Sequence, residues 1–460
     1  MRPSSTVHFI GIGGIGMSAL ARLLLARGYR VSGSSDRGSA LTERLAAEGA
    51  TIAIGHAARN LGGARTVVRS SAIAATNPEL VAARELGLDV VHRGELLARL
   101  MQGTRGIAIG GTHGKTTTTA MTACILEAAG LDPTVAVGGE RVDTGSNARN
   151  GHGAWFVAES DESDRSFLDL HPEVAVVTNI ENDHVDSEGD FAQLLAAFER
   201  FLAAVPAGGL ACVGVDEAHA AALTGKPRAA ATRTFGFAPA NVRASGATYA
   251  GFGARFELSV DGRLWGEIRL SVPGAYNVQN ALAAIAVALH LEVPLETIAA
   301  ALANFRGVRR RFEVLARSPH FTLIDDYAHH PSAVAAVIAA ARADFGGPIV
   351  AVFQPHRYSR TRFLAGEFAR ALRAADSVVL TDVYAASEMP LSGVDAASIG
   401  APLRALGAEV AYVPDVEELP AYLPAHVPQG ALVLMLGAGS ITEAAARLAA
   451  SMNAGEAFAR

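Results

Sequence analysis

The sequence predicts an α/β protein made of three α/β units in series, and three observations carry that prediction. Apolar runs of strand length alternate with alanine- and leucine-rich helical stretches along the 460 residues. Two glycine loops, at residues 11–16 and 110–114, each follow an apolar run and open a helix. Beyond residue 321, a further series of apolar runs ends in clusters of Asp, His, Arg and Gly.

In the first unit, residues 7–10 form a short strand leading into Gly11-Ile12-Gly13-Gly14-Ile15-Gly16. A helix is expected from Met17 to Arg27 and a second strand from 29 to 33, with Asp36 just past its end. This is G-x-G-x-x-G followed by an acidic residue, which taken alone suggests NAD. The motif itself specifies only a phosphate group on a helix N-terminus. Further β/α units run through 66–70 and 90–91. Ser70 and Ser71 close one of these strands, either as ligand-facing residues at its carboxyl end or as a turn or helix cap. A boundary falls at 101–105.

The second unit opens with the apolar run 106–109, then Gly110-Gly111-Thr112-His113-Gly114-Lys115-Thr116-Thr117. Ile109 occupies the place of the first glycine of a full phosphate loop, so this is a shortened version. Lys115 would reach the β/γ-phosphates and the Thr116 hydroxyl would ligate Mg²⁺. Of the 39 Lys plus Arg residues, lysine stands only at Lys115 and Lys226. A lysine in this loop of an arginine-rich chain points to a need for a compact ammonium. Residues 155–158 feed Glu159-Ser160-Asp161-Glu162-Ser163-Asp164, and 174–180 feed Glu181-Asn182-Asp183-His184. Strands that end in carboxylates and a histidine beside a phosphate loop point to a metal site. Residues 233–272 alternate and are expected as antiparallel strands, after which Tyr276-Asn277-Val278-Gln279-Asn280 opens a helix. A second boundary falls near 309–313.

The third unit has strands at 322–324, 349–353, 377–381, 410–413 and 431–436. They lead into Asp325-Asp326-Tyr327-Ala328-His329-His330, Gln354-Pro355-His356-Arg357 and Gly437-Ala438-Gly439-Ser440. His356, Arg357 and Arg360 could hold a carboxylate, since arginine does so bidentately; surface ion pairing is the alternative.

Composition narrows the function. A net charge of −6 gives no electrostatic case for a nucleic-acid partner. Two cysteines, Cys124 and Cys212, form no framework, which favours a reducing compartment. The apolar stretch 7–26 is broken by four glycines and Arg22, so a strand, turn and helix are expected there rather than a leader or a membrane span. The expectation is a cytoplasmic protein with no membrane partner, a monomer or weak homodimer. A phosphate loop beside metal-ligating carboxylates implies phosphoryl transfer, in which positioning and charge neutralisation do most of the work.

Taken in order, these markers resemble the Mur ligase family of peptidoglycan synthesis over nearly the whole chain: Gly11–Ser18, Gly111–Thr119, Gly145-Ser-Asn-Ala-Arg149, Glu159–Asp164, Asn179–His184, Asp325–Pro331 and Phe353–Arg360. The resemblance implies three domains. These are a Rossmann-like domain at 1–104, a central ATP-binding domain of phosphate-loop type at 105–312 and a C-terminal Rossmann-like domain at 313–460. It implies an ATP-dependent ligase that joins L-alanine to the lactyl carboxylate of UDP-N-acetylmuramate through an acyl phosphate. Gly13, Gly14, Gly16 and Met17, with Ser70 and Ser71, would meet the UDP-sugar rather than NAD. Gly111, Thr112, Gly114, Lys115, Thr116 and Thr117 would hold ATP, with Asn277 and Asn280 reading adenine. Thr116, Glu159 and His184 would ligate Mg²⁺. Arg309 and Asp325 would approach the nucleotide on domain closure. Tyr327, His329, His356, Arg357 and Arg360 would position L-alanine and the lactyl carboxylate, with His329 as the base that receives the amine proton. Lys115, His184, His329 and Arg309 are thus the expected catalytic groups.

Two departures stand out: Tyr276 where a histidine is usual before Asn-x-x-Asn, and Ser440 where an aspartate is usual. Three rival readings remain. One is a recycling ligase of the same family that takes the L-Ala-γ-D-Glu-diaminopimelate tripeptide. The others are an NAD-dependent oxidoreductase, which leaves Lys115 unexplained, and a catalytically silent nucleotide-binding regulator.

Overall fold

The structure, a computed structural model, describes residues 5–162, 164–182, 190–386 and 388–455. Three sheets follow one another along the chain. The first contains β1 (Thr6–Ile10), β2 (Arg30–Ser35), β3 (Thr51–Ile54), β4 (Ala64–Arg69) and β5 (Asp89–His92) in the order β3-β2-β1-β4-β5. Every pairing in it is parallel. The strand order reverses between β1 and β4, so the crevice lies outside their carboxyl ends. The glycine loop leaves β1 and Ser70-Ser71 leaves β4, which places both at that crevice. The helix after the loop spans Ile15–Ala26, starting two residues earlier than the sequence suggests.

The second sheet contains β6 (Arg105–Gly110), β7 (Thr134–Ala136), β8 (Ala148–Arg149), β9 (Trp155–Glu159), β10 (Val174–Val177), β11 (Leu210–Gly214), β12 (Ala231–Gly236), β13 (Val242–Ala250), β14 (Gly253–Val260) and β15 (Arg263–Leu270). Its order is β15-β14-β13-β12-β11-β10-β6-β9-β7-β8. β6 feeds the phosphate loop, and its two neighbours β9 and β10 end in the acidic clusters. The expectation of antiparallel strands from residue 233 fails for β12, which runs parallel to β11 and β13. Alternation reports a strand with one solvated face but not its direction. Here the helix Ala218–Ala222 lies in the connection from β11 to β12, as a parallel crossover requires.

The third sheet contains β16 (Glu313–Arg317), β17 (Phe321–Asp326), β18 (Ile349–Phe353), β19 (Ser377–Leu380), β20 (Glu409–Tyr412) and β21 (Ala431–Leu436), in the order β16-β17-β21-β18-β19-β20. It is parallel except for β16, an antiparallel edge strand that the apolar pattern did not reveal. β16 is only half-buried, so it lacks the continuous apolar run of its neighbours.

By packing, the chain divides into two compact units: 1–246 with 256–268 and 279–306, and 247–255 with 269–278 and 307–460. The first two α/β series therefore share one body. Their apolar core is continuous from Phe9 and Leu24 to Phe156, Phe167, Phe198 and Phe201. Phe167 packs its ring 5.2 Å from Phe198 and 5.0 Å from Phe201. A buried polar joint reinforces the contact. Asn147 Nδ2 donates to the Ile15 carbonyl at 2.7 Å and to Ser18 Oγ at 2.9 Å, and its Oδ1 accepts from Arg22 Nη1 at 2.6 Å. In the second unit, cores line both faces of the third sheet. No helix among the described residues is long and apolar enough to cross a membrane.

Candidate active site

In the first unit the phosphate loop is held by backbone geometry that glycine alone supplies cheaply. Gly114 has φ +83°, and a Cβ there would lie 2.2 Å from Asn280 Oδ1. The end of β10 clamps the loop: Thr112 N–H donates to the Asn179 carbonyl at 2.9 Å and Thr178 Oγ1 donates to the His113 carbonyl at 2.6 Å. Lys115 Nζ donates to the Gly111 carbonyl at 2.6 Å, the Thr112 carbonyl at 3.1 Å and Glu162 Oε1 at 2.9 Å. Burial drives the Glu162 carboxyl up to about 7 against the pull of Lys115. Burial also disfavours the Lys115 ammonium, but Glu162, Asp161 and Glu159 outweigh it and raise its pKa. Lys115 is therefore held as a charged ammonium by the carboxylates around it. Glu159 Oε2 accepts from Gly138 N–H at 2.7 Å, and a Cβ on Gly138 would fall 2.3 Å from that oxygen. Thr116 lies buried in the first turn of the helix Lys115–Ala128. A hydroxyl and a carboxylate are hard oxygen donors and suit Mg²⁺. His184, expected as a further ligand, lies outside the described residues. Asn280 sits against the loop, accepting from Thr118 Oγ1 at 3.2 Å.

The other glycine loop of this unit places Gly13, Gly14, Gly16 and Met17 around the N-terminus of the helix Ile15–Ala26. Among the described residues no side chain caps that terminus, which leaves its first amides suited to an anion. Ser71 Oγ lies 3.1 Å from His92 Nε2 and donates to Asp164 Oδ2 at 3.3 Å, while the Ser70 carbonyl closes a turn with Ile73 N–H at 3.2 Å. Asp36 is exposed at the end of β2 and pairs with His56 Nε2 at 3.1 Å. Behind it Glu79 is fully buried, accepting from Ser34 Oγ at 2.5 Å and Asn60 Nδ2 at 2.6 Å, with His8 Nε2 at 3.4 Å.

In the second unit the residues expected to meet the amino acid leave the carboxyl ends of β17 and β18, which flank β21 in the sheet. The Tyr327 ring lies 4.9 Å from that of His329, which lies 5.5 Å from that of His356. His329 Nδ1 lies 2.9 Å from the Tyr327 carbonyl. A carbonyl only accepts, so Nδ1 carries the proton and Nε2 of the neutral ring carries the lone pair. His356 is pushed down to about 4 by burial and by Arg360 and Arg357, which keeps it a neutral imidazole. Arg357 adopts φ +70°, a strained conformation for a non-glycine residue, held by its N–H to the Tyr384 carbonyl at 2.8 Å. Arg360 follows in the first turn of the helix Tyr358–Leu372. Asp325 is buried and pushed up to about 6, chiefly by desolvation, and accepts from Thr442 Oγ1 at 2.5 Å. Arg309 is half-exposed and pairs with Glu313 at 3.4 Å. Asn277 is buried in this unit, donating to the Pro273 carbonyl at 2.7 Å. The Tyr276 ring packs beside Gly274 and Ala340, and its hydroxyl has no hydrogen-bonding partner among the described residues. Ser440 Oγ accepts from Gln354 Nε2 at 3.1 Å, so the turn is held without an aspartate.

Comparison with known proteins accounts for both units. Residues 6–105 match the Mur ligase family catalytic domain, 109–288 the Mur ligase middle domain and 310–439 the Mur ligase glutamate ligase domain. The chain belongs to the Mur ligase family. Among relatives of this Mur ligase is a UDP-N-acetylmuramate–L-alanine ligase of Acidithiobacillus ferrooxidans, 48% identical over 96% of each chain. A protein of the same name from Paraburkholderia xenovorans is 46% identical over 96% of this chain and 97% of its own. The crystal structure of the UDP-N-acetylmuramate–alanine ligase of Thermotoga maritima superposes with a TM-score of 0.86 at 31% identity, covering 98% of this chain and 99% of that one. A murein peptide ligase from Psychrobacter arcticus shares the fold, with a TM-score of 0.75 at 22% identity over 99% of both chains.

The Mur ligase structure also brings in residues that sequence reasoning passed over. Glu162 was visible only as part of an acidic run, and its pairing with Lys115 spans the turn of two strands. Tyr384 stacks on His356, rings 5.6 Å apart and 15° from parallel. Its place just beyond β19 was the available signal. Arg310 donates to the Gly437 carbonyl at 3.0 Å and lies over the Tyr327 ring at 4.8 Å.

Proposed function

We propose that this Mur ligase joins L-alanine to the lactyl carboxylate of UDP-N-acetylmuramate, converting ATP to ADP and phosphate. One observation carries the reading: the lysine-bearing phosphate loop and a second, uncapped glycine-loop helix share one compact body, which calls for two anionic ligands there. The full-length similarity to alanine-adding ligases supports the choice of sugar and amino acid. Domains at 1–104, 105–312 and 313–460 are proposed to bind UDP-sugar, ATP and amino acid, each built on one of the three sheets.

The lactyl carboxylate oxygen bonds to the γ-phosphorus as the bridging P–O bond to ADP breaks. Lys115 stabilises the charge that develops there. Mg²⁺, when bound through Thr116 and Glu159 with His184, would neutralise phosphate charge. The amine of L-alanine attacks the activated acyl carbon and phosphate leaves, forming the amide. His329 takes the amine proton on Nε2, while Arg357 and Arg360 hold the amino-acid carboxylate.

The test is phosphate release from ATP with UDP-N-acetylmuramate, comparing L-alanine with the L-Ala-γ-D-Glu-diaminopimelate tripeptide. Turnover with L-alanine alone is expected. Turnover with the tripeptide alone would replace this reading with the recycling ligase, and silence with both would remove the UDP-sugar assignment.

A further inference from the structure

Arg93 stands where the two substrate loops of the first unit come together, and none of the roles above uses it. It opens the helix Arg93–Met101 directly after β5. The two ends of its guanidinium face different partners. Nη2 pairs with Asp161 and lies 3.4 Å from Asp164 Oδ2, both on the loop that follows Glu159. Nη1 is turned the other way, 3.2 Å from where a Cβ on Gly16 would lie, beside the uncapped N-terminus of the helix Ile15–Ala26. Among the described residues Nη1 has no hydrogen-bonding partner, and about a quarter of the side chain is exposed, at 24%.

The surroundings fix this placement. Gly94 lets the start of the helix lie directly on residue 166, because a Cβ there would fall 2.2 Å from Ser166 Cβ. His92 caps the same helix, its Nδ1 accepting from Gly94 N–H at 3.2 Å. That bond leaves the ring proton on Nε2, which faces Ser71 Oγ at 3.1 Å and Asp164 Oδ2 at 3.5 Å. Burial lowers the His92 pKa, consistent with a neutral ring. Asp164 Oδ2 thus gathers Ser71, His92 and Arg93 around one oxygen, and its Oδ1 accepts from Ser166 N–H at 2.9 Å.

We propose that Arg93 is a substrate-binding residue whose Nη1 edge contacts the diphosphate of the UDP-sugar at the glycine loop. Its Nη2 edge, held by Asp161 and Asp164, registers that contact against the loop that carries Glu159. The proposal rests on the UDP-sugar reading of the first glycine loop. The planar guanidinium fork serves two anionic partners in fixed directions, which an ammonium does not.

The experiment compares wild-type protein with R93Q and R93K. Titration calorimetry measures binding of UDP and of uridine, and steady-state assays measure KM for UDP-N-acetylmuramate, ATP and L-alanine. In wild type, UDP binds more tightly than uridine. R93Q should shrink that preference and raise KM for UDP-N-acetylmuramate about 10- to 100-fold, the worth of a charge-assisted contact to phosphate, with the other two KM values within about threefold. R93K should fall between the two, and it reads the same quantities should R93Q lose its fold. An unchanged UDP-over-uridine preference in the folded variants overturns the Arg93 assignment while leaving the UDP-sugar reading intact. Wild-type protein that binds neither UDP nor UDP-N-acetylmuramate overturns both.

Discussion

Lys115 has three ammonium protons and directs them at the Gly111 carbonyl, the Thr112 carbonyl and Glu162. A γ-phosphate must displace at least one of these acceptors, and Glu162 is the one anion among them. A guanidinium cannot send three donors from one point. K115R is therefore expected to lower kcat by about 100-fold or more, as loss of a fitted transition-state donor does, while circular dichroism stays native. For His329, the tautomer set by the Tyr327 carbonyl makes Nε2 the proton acceptor. H329A should cut alanine-dependent turnover by about 100-fold, yet acyl phosphate trapped with hydroxylamine should form at the wild-type rate. Glu79 offers a pH test. Burial pushes its carboxyl up, but hydrogen bonds from His8, Ser34, Asn60 and Ala57 outweigh it, and its pKa falls from 4.5 to about 2. A depressed carboxylate stabilises the fold above its unfolded value near 4.5, and the contribution is lost as pH falls through about 2. That difference corresponds to about 3 kcal/mol near neutral pH. E79Q should therefore unfold at lower urea concentration at pH 7, and the gap to wild type should close as the pH drops from about 4.5 toward about 2. Lys115 was legible in the sequence because its partners Gly111 and Thr112 are local. The Glu79 cluster was not, because His8, Ser34, His56 and Glu79 meet only after three strands and a helix have packed.

At the scale of elements, most strands and both glycine loops could be read directly, since buried parallel strands are near-continuous apolar runs. The failures have a common origin. β16 is half-buried, and the direction of β12 depends on its connection to β11 rather than on its own residues. The glycines at residues 111 and 114 announced a turn. Gly94 announced nothing, because the contact it permits is with Ser166, far along the chain. G94A is expected to force the helix Arg93–Met101 away from Ser166, costing about 1–3 kcal/mol as overpacking does. Urea midpoints would record that loss, and a raised KM for UDP-N-acetylmuramate with little change for L-alanine would show where the displacement acts.

For the molecule as a whole, three α/β series were expected and three sheets are present, yet the first two series pack as one body. Sequence periodicity marks where each sheet begins, but it carries no information about which sheets share a core. The Gly145–Arg149 motif was legible as a family marker, and its physical work became visible only in the bonds of Asn147 to Ile15, Ser18 and Arg22. N147A should leave Arg22 buried without that partner, at a cost of about 2–4 kcal/mol. Wild-type unfolding of the first unit is expected to be one cooperative urea transition, and in N147A it should separate into two phases, detectable in a W265F background by comparing far-ultraviolet circular dichroism with Trp155 fluorescence.

The same asparagine limits how the chain can be recombined. A chimera cut at 101–105 would exchange the first sheet near the seam between two matched family domains, but it would confront Asn147 with a foreign helix. Crossovers that inherit residues 15–22 and 140–147 from one parent keep the glycine loop seated, whatever the parentage of the chain between them.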